Sequence, residues 1–233
     1  MFENPPKIVL SLDVDIQFMK KVLQEIYDLE KEIIAMKIGT ILCWKNGIKN
    51  VIHEIRSQCD FPLIFDGQKS GTDIPAIIKK QVKIIAEADI NGIIAAPQGS
   101  GFHSLNTFIN SCNEYNLIPF VVAEMTHPGC GDFLLKDASE RIFEKSIKLG
   151  VTNFILPANK PDRLHFYRKI ADKKNIKINI FSPGIGPQGG GPGTAINAGT
   201  DFVIVGRSIY EANNPREKVI QIYDQITQAY TNR

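Results

Sequence analysis

The feature that most constrains the fold is an alternation that runs the length of the chain. Short apolar runs at 8–12, 33–38, 62–65, 92–96, 118–123, 153–156, 176–181 and 202–205 are each followed by a segment with apolar residues at helical spacing. Runs of this length, rich in β-branched residues, read as buried strands, and the intervening periodicity reads as amphipathic helices. Phe18, Val22, Ile26 and Leu29 mark the first helix, and Ile48, Ile52 and Ile55 the second. Ile74, Ile78, Val82 and Ile85 mark another, with Asp73 as a possible N-cap and Pro75 in its first turn. The helix at 138–149 closes on Gly150, a further helix opens at Pro161, and Asn214, Pro215 and Glu217 announce the last one. Eight strand–helix units without a linker or low-complexity segment predict an α/β fold, a single-domain (β/α)8 TIM barrel over 1–233, rather than an open doubly wound sheet.

Length and charge agree with that fold and narrow the partners. A chain of 233 residues suits one barrel, and 27 basic against 25 acidic residues leave no field that nucleic acid or an anionic membrane would need. The four cysteines, Cys43, Cys59, Cys112 and Cys130, are widely spaced and lack metal-ligand patterning, so they read as reduced thiols. No apolar run reaches 18 residues, and the first is interrupted by Asp13, so a cytoplasmic protein without a membrane span is expected.

In barrels of this kind the chemistry sits at the C-terminal ends of the strands. That rule selects Asp13, Lys37, Asp66, Lys69, Thr126, Pro183, Gln188 and Arg207 as candidates, with Asp73 a short turn further on. The 182–208 stretch, SPGIGPQGGGPGTAINAGTDFVIVGRS, looks built for a phosphate. Its glycine loop, including Gly189, lets backbone N–H groups approach an anion, and Gly206-Arg207-Ser208 places a guanidinium directly after the eighth run. The 187–193 segment is the natural lid. Lys37, Asp66, Lys69 and Asp73 form an alternating row at the ends of the second and third runs. In a partly dry site such a row keeps each member charged, and it can press a carboxylate against a departing anionic group while an ammonium protonates the carbanion left behind. A plainer reading makes Asp73 an N-cap, Lys69 a solvated charge and Asp13 a strand terminator. His127 reads as a loop-fixing residue, His53, His103 and His165 as surface groups, and Trp44 as a packing residue.

The motifs SLDVD, MKIG, FDGQKSGTDIP, EMTHPG, SPGIGPQGG and VGRSIY, kept in this order, resemble orotidine 5′-phosphate decarboxylases, in particular their compact archaeal form. The resemblance spans essentially the whole chain. It implies a metal-free and cofactor-free decarboxylation of orotidine 5′-monophosphate (OMP) to UMP. It further implies that Asp13 and Lys37 contact the ribose, that Asp66 faces the substrate carboxylate, and that Lys69 protonates C6. Thr126 and Pro183 would lie against the pyrimidine, Gln188 and Arg207 would hold the phosphate with Gly189 and Gly206 beside it, and Asp73 would reach the neighbouring site of a homodimer. Two departures stand out. The family's DxKxxD is here Asp66-x-x-Lys69-x-x-x-Asp73, a residue longer in each gap, and Ile77 stands where a threonine is usual. The longer spacing requires a bulge or an early strand end, which Gly67 and Gly71 permit. Two alternatives remain open at the level of sequence: a Mg-dependent phosphosugar aldolase or decarboxylase like hexulose-phosphate synthase, and a nucleotide-phosphate binding protein without turnover.

Overall fold

The computed structural model describes residues 2–68, 73–186 and 188–233. Eight parallel strands close into a barrel in sequence order: β1 (Lys7–Leu12), β2 (Ile33–Ile38), β3 (Leu63–Phe65), β4 (Gly92–Ala95), β5 (Ile118–Val122), β6 (Asn153–Ile155), β7 (Asn179–Ser182) and β8 (Phe202–Val205). Closure comes from β1 pairing with both β2 and β8, with Leu10 opposite Met36 on one side and Val205 on the other.

Around the barrel run α1 (Ile16–Ile26), α2 (Thr40–Asn46), α3 (Ile48–Arg56), α4 (Pro75–Ala86), α5 (Gly101–Glu114), α6 (Ala138–Lys148), α7 (Pro161–Lys173), α8 (Pro192–Asn197), α9 (Arg207–Tyr210) and α10 (Pro215–Thr231). Among the described residues no helix is long and apolar enough to cross a membrane.

The strands are buried on both faces, and their side chains divide by the two-residue period. Ile8, Leu10, Leu12, Met36, Ile38 and Leu63 face the helices and join one large cluster. Val9, Ala35, Ile64, Ile94, Phe120, Val122, Ile155, Phe181, Phe202 and Ile204 fill the interior. At about 1.5–3 kcal/mol for each large apolar side chain fully buried, these layers dominate the favourable side of folding. Toward the N-terminal end the interior is aromatic. Phe181 stacks on Phe202 at 4.7 Å, Phe120 meets Phe181 edge-on at 5.0 Å, and Phe2 comes in from the chain start to within 5.3 Å of Phe120. These rings close that end of the barrel.

Several local expectations hold. Gly150 follows α6 at φ 86°, and the Asn214 side chain accepts the Glu217 N–H at the start of α10. Others do not. Asp73 is not the N-cap of α4: Ile74 occupies that position, and the Asp73 carboxylate accepts the Ile74 N–H at 2.7 Å. Residues 176–178 lie outside β7, which starts at Asn179 where pairing with Asn153 begins. Met19, Val22, Leu23 and Ile26 form the buried face of α1, whereas Phe18 is 41% exposed. Trp44 is no packing residue, since it is 75% exposed on α2, a helix too short to stand out by periodicity. His53, His103 and His165 are exposed, as expected.

Candidate active site

The same two-residue period that fills the interior builds the mouth. Continuing inward-facing positions past the apolar layer leads from Val9 to Ser11 and Asp13, from Ala35 to Lys37, from Ile64 to Asp66, and from Ile204 to Gly206. These residues line one cavity of about 450 Å³ at the C-terminal end of the barrel, over an apolar floor of Ile94, Val122, Ile155 and Ile204. Thr126, His127, Pro183, Gln188, Arg207 and Tyr210 complete the rim.

Lys37 is the hub. Its ammonium lies 2.5 Å from Asp66 Oδ2 and 3.3 Å from Asp13 Oδ2, and the residue is only 7% exposed. Burial alone would lower its pKa, but Asp66 and then Asp13 outweigh that, and the ammonium is held above its ordinary value. Ser11 donates to Asp13 Oδ2 at 2.6 Å, and Gln68 donates to Asp66 Oδ1 at 2.9 Å. Gly39 makes this packing possible, because a Cβ at that position would collide with the Asp13 carboxylate.

A second network fixes the opposite side. Glu124, just past β5, accepts from Arg163 Nε at 2.7 Å, Tyr167 Oη at 2.9 Å and Lys160 Nζ at 3.1 Å. Burial works to raise its pKa, yet the bonds from Arg163, Lys160 and Tyr167 prevail and hold the carboxyl below its usual range. Lys160 also donates to the Met125 carbonyl at 3.1 Å. Asn159 Nδ2 reaches the carbonyls of Thr126 at 3.3 Å and Gln188 at 3.4 Å, so the loops after β5, β6 and β7 are tied together. Gly184, at φ 98°, turns the chain after Pro183 close to Thr126 and Gln188, where a side chain would be both strained and crowded.

Arg207 is exposed at the rim and pairs with no carboxylate among the described residues. The helix it opens, α9, is a single turn, so the dipole expected behind the guanidinium is slight.

Asp13, Lys37, Asp66, Thr126, Pro183, Gln188, Gly206 and Arg207 are therefore gathered in one cavity. Asp73 and Gly189 are not part of its lining; Asp73 is exposed, with its carbonyl accepting from Ser104 Oγ at 2.8 Å. Lys69 of the charged row, Gly71 beside it, and Pro187, which opens the expected 187–193 lid, lie outside the described residues. The sequence alone marks no role for Ser11, Gln68, Glu124 or Tyr210, all of which lie at the site. The signal for Ser11 and Gln68 was the parity they share with Asp13 and Asp66.

A parallel eight-stranded barrel with an ion-paired lysine at its C-terminal mouth and, just past β8, an arginine that pairs with no carboxylate among the described residues defines the class of (β/α)8 barrel enzymes. Within that class, the family model described as "Orotidine 5'-phosphate decarboxylase / HUMPS family" matches residues 6–222, and the chain belongs to this family. The orotidine 5′-phosphate decarboxylase of Methanosarcina acetivorans is 35% identical over 94% of this chain and 94% of its own length. That of Pyrococcus abyssi is also 35% identical, over 94% and 98%. Among solved structures, the Methanocaldococcus jannaschii OMP decarboxylase complexed with the inhibitor BMP superposes with a TM-score of 0.84 at 30% identity, covering 96% of this chain and 99% of that one.

Proposed function

We propose that this chain is a carboxy-lyase that decarboxylates OMP to UMP in pyrimidine biosynthesis. The observation that carries the reading is the Lys37 ammonium fixed between Asp66 and Asp13 at the mouth, with Arg207, just past the neighbouring end of β8, paired with no carboxylate among the described residues. In this reading Arg207, Gln188, Gly189 and Gly206 hold the phosphate, Asp13 and Lys37 the ribose, and Thr126 and Pro183 the base. The substrate carboxylate then lies against Asp66, whose negative charge opposes it in the bound state and not after CO2 has left. The C6–carboxyl bond breaks, its electron pair stays on C6, and the Lys69 ammonium supplies the proton that completes UMP. Remote phosphate contacts provide the binding energy that holds the two anionic groups together.

The full-length match to OMP decarboxylases favours this chemistry over the Mg-dependent phosphosugar reaction and over binding without turnover. We further propose a cytoplasmic homodimer in which Asp73, exposed and outside its own chain's cavity, completes the partner's site. Loss of OMP absorbance with purified protein in EDTA tests the activity. Turnover is expected, and UMP binding without any turnover would overturn it. Mixing Asp73→Ala with Lys69→Ala tests the shared site: hybrid dimers should recover activity, and no recovery would refute the sharing.

A further inference from the structure

We infer that Gln68 is a positioning residue for the reaction: it fixes the plane of the Asp66 carboxylate, and it is where the lengthened Asp66–Lys69 spacing is put to use. The inference rests on the decarboxylase reading above. β3 ends at Phe65, but the alternation does not end with it, and Ile64, Asp66 and Gln68 fall successively on the inward parity. The Gln68 carbonyl accepts the Ala96 N–H at 3.2 Å, just beyond β4. The backbone of Gln68 is thereby tied to the neighbouring strand end.

From that anchor the side chain turns back to Asp66. Lys37 holds Oδ2, and a carboxylate held at one oxygen can still rotate about its Cβ–Cγ bond. Gln68 Nε2, 2.9 Å from Oδ1, occupies the other oxygen and stops that rotation. The orientation of the amide follows from its partner, since the reverse would set two acceptors against each other. A group that must meet an anionic substrate in one geometry gains most from such a constraint, because displacement of about 1 Å can cost roughly 10²-fold in rate.

Two variants test the role. Gln68→Met keeps length and removes the donor, and Gln68→Glu sets a like charge against Asp66. The expected result is a fall in kcat of about 10- to 100-fold for Gln68→Met and a larger one for Gln68→Glu. For Gln68→Met, the KM for OMP, the affinity for UMP and the melting temperature should stay close to those of the unsubstituted protein. A merely structural residue would lose stability and UMP affinity instead, and that outcome would overturn the inference. So would a Gln68→Met protein with unchanged kcat beside an active parent. An inactive parent would overturn the decarboxylase reading, and this inference with it.

Discussion

The two ends of the barrel are built from the same strands by opposite means. At the N-terminal end, Phe2, Phe120, Phe181 and Phe202 fill the interior by contact. At the C-terminal end the same inward positions carry Ser11, Lys37 and Asp66, buried or nearly so, and held by one another rather than by packing. A buried charge is expensive unless paired, so the mouth spends stability that the aromatic end supplies. The difference teaches where substitutions should be felt: activity at one end, stability at the other.

The sharpest break in that contrast would come from Asp66→Asn. Asparagine preserves the shape and keeps an acceptor for Lys37, so kcat/KM should fall by about 10³-fold or more while the melting temperature moves by only about 3 °C. Steady-state kinetics and calorimetry on one preparation would check it. Phe181→Ala should behave in the opposite way, costing about 3–5 kcal/mol of stability by leaving a cavity under Phe202 and Phe120, with kcat/KM of the folded protein changed little. Denaturant titration measures the first quantity and initial rates the second.

Arg207→Ala should cost less than Asp66→Asn, about 10²-fold in kcat/KM with UMP affinity reduced in parallel, because the guanidinium holds substrate and is remote from the reacting carbon. The smallest effect is expected at Glu124. Its lowered pKa gives the fold a contribution that is present above the ordinary value of 4.5 and lost as pH falls through the lower folded value. Glu124→Gln should therefore flatten the fall in melting temperature between about pH 5 and 3 and leave kcat within a few-fold. Lys37 has the opposite sign. Its raised pKa contributes below the ordinary 10.5 and is lost as pH climbs through the higher folded value, a limb that Lys37→Met should remove.

The strands were legible because each is an apolar run bounded by polar residues, and the barrel followed from their number and order. The mouth was legible where a charged residue directly follows such a run, as Asp13 and Asp66 do. Other features depended on contacts between distant segments. Nothing local marks Gln68 as different from any loop glutamine until β4 anchors its backbone and Asp66 comes within reach. The Glu124–Arg163–Tyr167 network joins β5 to α7 across 39 and 43 residues, a separation at which spacing carries no signal. Short helices were invisible for a different reason. α2 and α9 are too brief for a period to repeat, so no periodicity marks Trp44 as lying on the outward face where it is exposed.

The measurement closest to the central claim is release of labelled CO2 from carboxyl-labelled OMP, in EDTA, by the unsubstituted protein and by Asp66→Asn. Stoichiometric release by the first and almost none by the second are expected, with both proteins binding UMP alike. No release by the unsubstituted protein, or equal release by the two, would contradict it.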